Sequence, residues 1–199
     1  MNSLTRISLF PIVTLALGLL LDSVPTHSGI PPSSYPYPEH LTGTFTGGFG
    51  EDTCHSCHFD YPLNHEEGNL QLEGFPSEYQ SGQSYMIRIH IERPELAKAG
   101  FQIATRFSDG RQAGMFSPQS DRTQFTESAP EGLQYLQHSA KGTEINGENT
   151  NTWQLKWIAP SSSTQDTVYV NLSANAANGD ASEFGDFIFT KELLVNPSE

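Results

Sequence analysis

From Asn69 onward the chain alternates between apolar and polar positions. In Ser84–Glu92, Tyr85, Ile87, Ile89 and Ile91 fall on one side, with Met86, Arg88, His90 and Glu92 on the other. Residues 100–107 alternate less cleanly, with Phe101, Ile103, Thr105 and Phe107 on one side. Trp153, Leu155 and Trp157 repeat the pattern, as do Val168, Val170, Leu172 and Ala174, and residues 186–195 close the set. A period of two predicts strands with one buried face. Turn-forming stretches rich in Pro, Gly, Ser, Asn and Asp separate them, at 76–83, 108–112, 130–134, 145–151, 159–166 and 178–186. No helical period is visible. The expectation is an all-β chain folded as an antiparallel β-sandwich over 69–195, whose aromatic stripe is core.

The N-terminal third has a different texture. Arg6 precedes an apolar run from Ile7 to Leu21, and the small residues Thr26 and Ser28 follow. This is the layout of a secretory signal peptide, expected over 1–28. The run is short for a membrane span and is interrupted by Pro11, so no stable span is expected after cleavage. Residues 29–50 are rich in Pro, Gly, Ser and Thr and read as an extended arm, whose Tyr35, Tyr37 and Phe45 could fold onto a neighbouring site. Residues 51–68 form a third, short irregular segment. The implied location is extracytoplasmic: periplasmic, at the cell surface or secreted. The formal net charge of −13 disfavours a phosphate backbone as partner and favours a positively charged one. Surface anchoring through the C-terminal end is not expected.

Export sharpens the meaning of Cys54 and Cys57, the only two cysteines. Outside the cytoplasm free thiols are normally oxidised, yet a bridge between these two would close a very small loop and stabilise little. Three readings follow. C-x-x-C is a thiol redox motif when it opens a helix in a βαβ unit, and no such unit is visible. It is half of a zinc site when further ligands lie at a familiar spacing, with His55, His58 or His65 the nearest here. C-x-x-C-H is a covalent haem site: Cys54 and Cys57 form thioethers to the two vinyl groups, and His58 supplies the proximal nitrogen to the iron. The third reading uses all three residues, so one covalent haem c is the expected cofactor. His55, at a spacer position, is expected to be solvent-exposed.

Several further stretches carry a family likeness. They are Gly-Phe-Gln at 100–102, Gln-Ala-Gly at 112–114, Trp-Ile-Ala-Pro at 157–160 and Asn-Ala-Ala-Asn-Gly-Asp at 175–180. Together with the C-x-x-C-H segment, the chain from about Gly47 to Thr190 resembles bacterial exported c-type haem proteins with a reelin-type (Reeler, or choice-of-anchor V) domain. The resemblance implies an immunoglobulin-like sandwich and a haem-bearing extracytoplasmic protein. It implies no known substrate.

A second axial ligand would make the haem a six-coordinate electron carrier, and an open position would make it reactive. The candidates are His138, Met115, His90, Met86, His65 and His40. His138 is preferred, at the end of a predicted strand and within the resemblance, with Met115 as the alternative. Asn178, Asp180 and Asp186 have calcium-type oxygens but not a recognised spacing, so a plain strand connection is expected there. Glu66 and Glu67 read as solvated surface or as a rim for a basic redox partner. The expected function is one-electron transfer by an exported monohaem cytochrome, an electron-transfer protein rather than an enzyme. The alternative is an extracytoplasmic ligand-binding or adhesion module with a sensory or structural haem.

Overall fold

The computed structural model describes residues 43–161 and 166–198. The expected signal segment, His40 and most of the arm, including Tyr35 and Tyr37, lie outside the described residues. Among the described residues ten strands follow the segment 43–68: β1 (Asn69–Glu73), β2 (Glu78–Tyr79), β3 (Ser84–Glu92), β4 (Lys98–Phe107), β5 (Met115–Pro118), β6 (Thr123–Phe125), β7 (Leu136–His138), β8 (Thr150–Ile158), β9 (Val168–Ala177) and β10 (Phe187–Pro197). They form two sheets, ordered β1-β3-β8-β5 and β2-β10-β9-β4-β7-β6. The all-β sandwich is therefore present. Pairing is antiparallel except for β2 and β10, which run parallel. Asn196 pairs with Glu78 there, because the C-terminal strand meets a two-residue edge segment outside any hairpin.

Alternation sets the register. β3 pairs with β8 so that Tyr85, Ile87 and Ile89 sit opposite Trp157, Leu155 and Trp153. A one-residue slip would turn Ile87, Ile89 and Ile91 to solvent and bury Met86, Arg88 and His90. Each exposed isoleucine would lose about 1.5–3 kcal/mol of burial, so the register is strongly specified. Trp153 and Trp157 are buried in the core. Their indole N–H groups donate to the carbonyls of Gly142 at 2.9 Å and Ala113 at 3.2 Å, so neither is left unsatisfied. From the other sheet Phe101 and Ile103 of β4 face Ala174 and Leu172 of β9, and Phe187, Phe189 and Val195 of β10 complete the core.

β4 departs from the simple pattern: every residue from Ala99 to Phe107 is buried. Its inward side is the core. Its outward side, with Gly100, Gln102, Ala104 and Arg106, lies under another layer of chain. The same holds for Asn171, Ser173 and Asn175 of β9, which are polar, outward and buried. That covering layer is the N-terminal segment carrying the cysteines.

Candidate functional site

Two buried polar anchors hold the covering segment on the sheet. The side-chain oxygen of Gln102 accepts the Phe45 N–H at 2.6 Å, while its amide nitrogen reaches the Gly43 carbonyl at 3.0 Å and Thr126 Oγ1 at 3.1 Å. Further along, Arg106 pairs with Glu51 at 2.7 Å, donates to the Gly48 carbonyl at 3.3 Å, and lies 4.2 Å from the centre of the Phe49 ring. Thr46 and Tyr135 donate their hydroxyls to the same Glu51 carboxylate. Gly48 must be glycine here, since a Cβ would come within 2.1 Å of Asn171 Oδ1.

Burial, and then the bond to Glu51, push the Tyr135 hydroxyl far above its ordinary value of 10.0. Tyr135 therefore stays protonated when folded at a pH where it ionises unfolded. The folded state then holds more protons, so stability falls as pH rises above about 10. Replacing Tyr135 by Phe will flatten that alkaline decline, measured by denaturant titration at successive pH values. An unchanged decline would contradict this origin.

The cysteine motif follows directly. Thr46 and Thr53 form a β-bridge, and Cys54–Ser56 make a single 3₁₀ turn capped by Thr53, whose Oγ1 accepts the His55 N–H at 3.2 Å. The Cys54 N–H donates to Ser173 Oγ on β9 at 3.2 Å, docking the turn on the sheet. The Cys57 and His58 N–H groups return to the Cys54 carbonyl. Both thiols are free. This tight turn and the sheet beneath flank an open cleft of about 100 Å³. Cys54, Cys57, His58 and Phe45 line one side, and Gly100, Gln102, Asn175 and His138 the other.

The two histidines of the cleft are held in different ways. His58 Nδ1 lies 2.8 Å from Asp186 Oδ2. A carboxylate only accepts, so His58 Nδ1 carries a proton toward it, and Nε2 is the ring nitrogen that Asp186 does not engage. His138 Nδ1 lies 2.9 Å from the Phe101 nitrogen and 3.1 Å from its oxygen, so the ring takes over from the β4–β7 ladder where that ladder ends. Burial pushes the His138 pKa down and keeps the ring neutral, although its bond to Phe101 works the other way. The ring rests on Gly100, where a Cβ would come 2.7–3.1 Å from three of its atoms. Burial also pushes the Cys54 thiol up, away from the thiolate needed for redox exchange or zinc binding.

The other residues singled out in the sequence lie elsewhere. Met115 opens β5 in the opposite sheet, 55 % exposed, and does not line the cleft. Met86 and His90 are on the outward side of β3, where His90 Nδ1 meets Thr152 Oγ1 at 2.8 Å. His65 packs edge-on against Tyr61 and Phe187. His55, expected in solvent, is instead half-buried and donates from Nε2 to the Tyr61 carbonyl at 2.9 Å, because the turn folds back on the following chain. Glu66 and Glu67 line a separate groove with Arg93. Asn178 and Asp180 hold their own loop, accepting the backbone N–H groups of Asp180 and Ser182. Among the described residues no three His, Cys, Asp or Glu side chains are grouped to hold a bare metal ion.

Asp186, Asn175 and Ser173 were not picked out as partners of the motif. The signal for Asn175 and Ser173 is a polar residue on a strand whose second side is buried, and Asp186 reads in the sequence only as a loop carboxylate.

The sequence matches no family model and no curated protein. Solved structures resemble the fold. The Reelin-N domain of F-spondin is 22 % identical, with a TM-score of 0.46 over 69 % of this chain and 91 % of its own. The human F-spondin reeler domain is 23 % identical, with a TM-score of 0.43 over 67 % and 92 %. A cohesin module from a Clostridium perfringens family 33 glycoside hydrolase is 17 % identical, with a TM-score of 0.41 over 66 % and 98 %. Among the described residues no helix is long and apolar enough to cross a membrane.

Proposed function

We propose that this protein is an exported monohaem c-type cytochrome of the reelin-type class that transfers single electrons. The observation carrying this reading is that Cys54, Cys57 and His58 line one cleft together with His138. The donor set fits the group: two unbridged thiols, one histidine whose Nε2 is not engaged by Asp186, and a second, neutral histidine. When bound, haem c supplies an iron that cycles between Fe(III) and Fe(II). Cys54 and Cys57 would hold it covalently, and His58 and His138 would hold its iron. Phe45 and the outward face of β4 would shield one side of the group from water, which bears on its potential. The thiol and zinc readings are weakened by the raised Cys54 thiol. Export rests on the leader at 1–28. The partner expected is a basic redox protein, because the chain carries a net charge of −13.

Expression with a c-type maturation system tests this. The denatured protein will carry the mass of one haem, and its reduced spectrum will show sharp α and β bands. A denatured mass equal to that of the bare polypeptide would sink the proposal.

A further inference from the structure

The carboxylate behind His58 stands apart from the others in the molecule. Asp186 is 2 % exposed, and it is the one Asp or Glu in the buried set among the described residues. No Lys or Arg pairs with it there. Its Oδ1 accepts the Asn178 backbone N–H at 3.1 Å. Its Oδ2 accepts from Asn175 Nδ2 at 3.0 Å and meets His58 Nδ1 at 2.8 Å. A buried charge without a cation is costly unless something positive lies close by. Through the His58 ring, that positive group would be the iron.

We propose that Asp186 is a positioning residue that holds His58 in the metal-binding tautomer and sets a low reduction potential by making its imidazole a stronger donor. This inference rests on the haem reading above. A carboxylate on the far nitrogen draws the Nδ1 proton toward itself and raises the electron density at Nε2. A richer ligand, with a negative charge behind it, stabilises Fe(III) over Fe(II). Asn175 opposes this, because its amide N–H competes for the same oxygen.

The two side chains therefore have opposite signs in a test on the haem-loaded full chain. Asp186→Asn keeps an oxygen for His58 but removes the charge. It will shift the balance toward Fe(II) and raise the potential, each tenfold shift reading as about 59 mV for a one-electron couple. Its low-spin spectrum will persist, since His58 stays on the iron. Asn175→Ala frees the carboxylate and will lower the potential. A merely structural Asp186 would cost thermal stability in both variants and leave the potential in place. If Asp186→Asn does not fold, Asn175→Ala decides alone, and an unchanged or raised potential overturns the proposal. Unaltered protein that leaves maturation without haem overturns the haem reading and this inference with it. Haem-loaded variants whose potentials do not move overturn this inference only.

Discussion

On the haem reading proposed above, replacing His138 by alanine will convert the loaded protein from low-spin to high-spin and open it to exogenous ligands such as carbon monoxide in the reduced state. The effect will be complete, because among the described residues the other candidate side chains do not line the cleft. Met115 is exposed on the opposite sheet, so Met115→Ala will leave the spectrum as it is. Gly100→Ala provides an independent check. Its new Cβ would meet the His138 ring at 2.7–3.1 Å, so it will loosen ligation without removing the ligand. Covalent attachment through Cys54 and Cys57 will survive all three changes, which separates loss of a ligand from loss of haem. If His138→Ala keeps a six-coordinate spectrum without added ligand, His138 is not the axial partner.

The second large effect is on stability. Arg106 and Glu51 form an almost fully enclosed pair between the sandwich and the segment that carries the motif. Arg106→Ala leaves the Glu51 carboxylate without its cation. Breaking such a buried pair on one side costs about 3–5 kcal/mol. At roughly 2–4 °C per kcal/mol for a chain of this size, 3 kcal/mol lowers Tm by about 6–12 °C. The loss will concentrate in the covering segment, so amide protection at 46–58 will fall before that of β3 and β8. Haem attachment will suffer too, since Cys54 is docked by the same layer through Ser173. Double replacement by apolar side chains of similar size will recover part of the loss. Thermal unfolding of Arg106→Ala within 2 °C of the unaltered protein would contradict this account.

The residues of the cleft differ in how far they could be read in advance. Cys54, Cys57 and His58 were legible as a group because they are neighbours in the chain. His138 was legible as a candidate only, since nothing local distinguishes it from His65 or His90. Asp186 stood in plain view as a loop carboxylate with calcium-type chemistry, and its partner proved to be a histidine in another segment. Asn175 and the His58 it approaches are 117 residues apart, a separation that no local pattern spans.

The sequence by itself determined the sandwich, because a period of two with Ile, Trp and Val on one side leaves a strand a single face to bury. It also placed Cys54, Cys57 and His58 together, and the turn keeps them on one cleft. The uneven alternation of 100–107 marked β4 as different without saying why. Only the tertiary structure decided that Gly100, Gln102 and Arg106 on its outward side lie beneath the cysteine segment. Only the β4–β9 and β4–β7 registers bring Asn175 and His138 to the same cleft as His58. Burial on a strand's second side depends on which distant segment covers it, and that is settled by long-range hydrogen bonds and one enclosed ion pair rather than by periodicity.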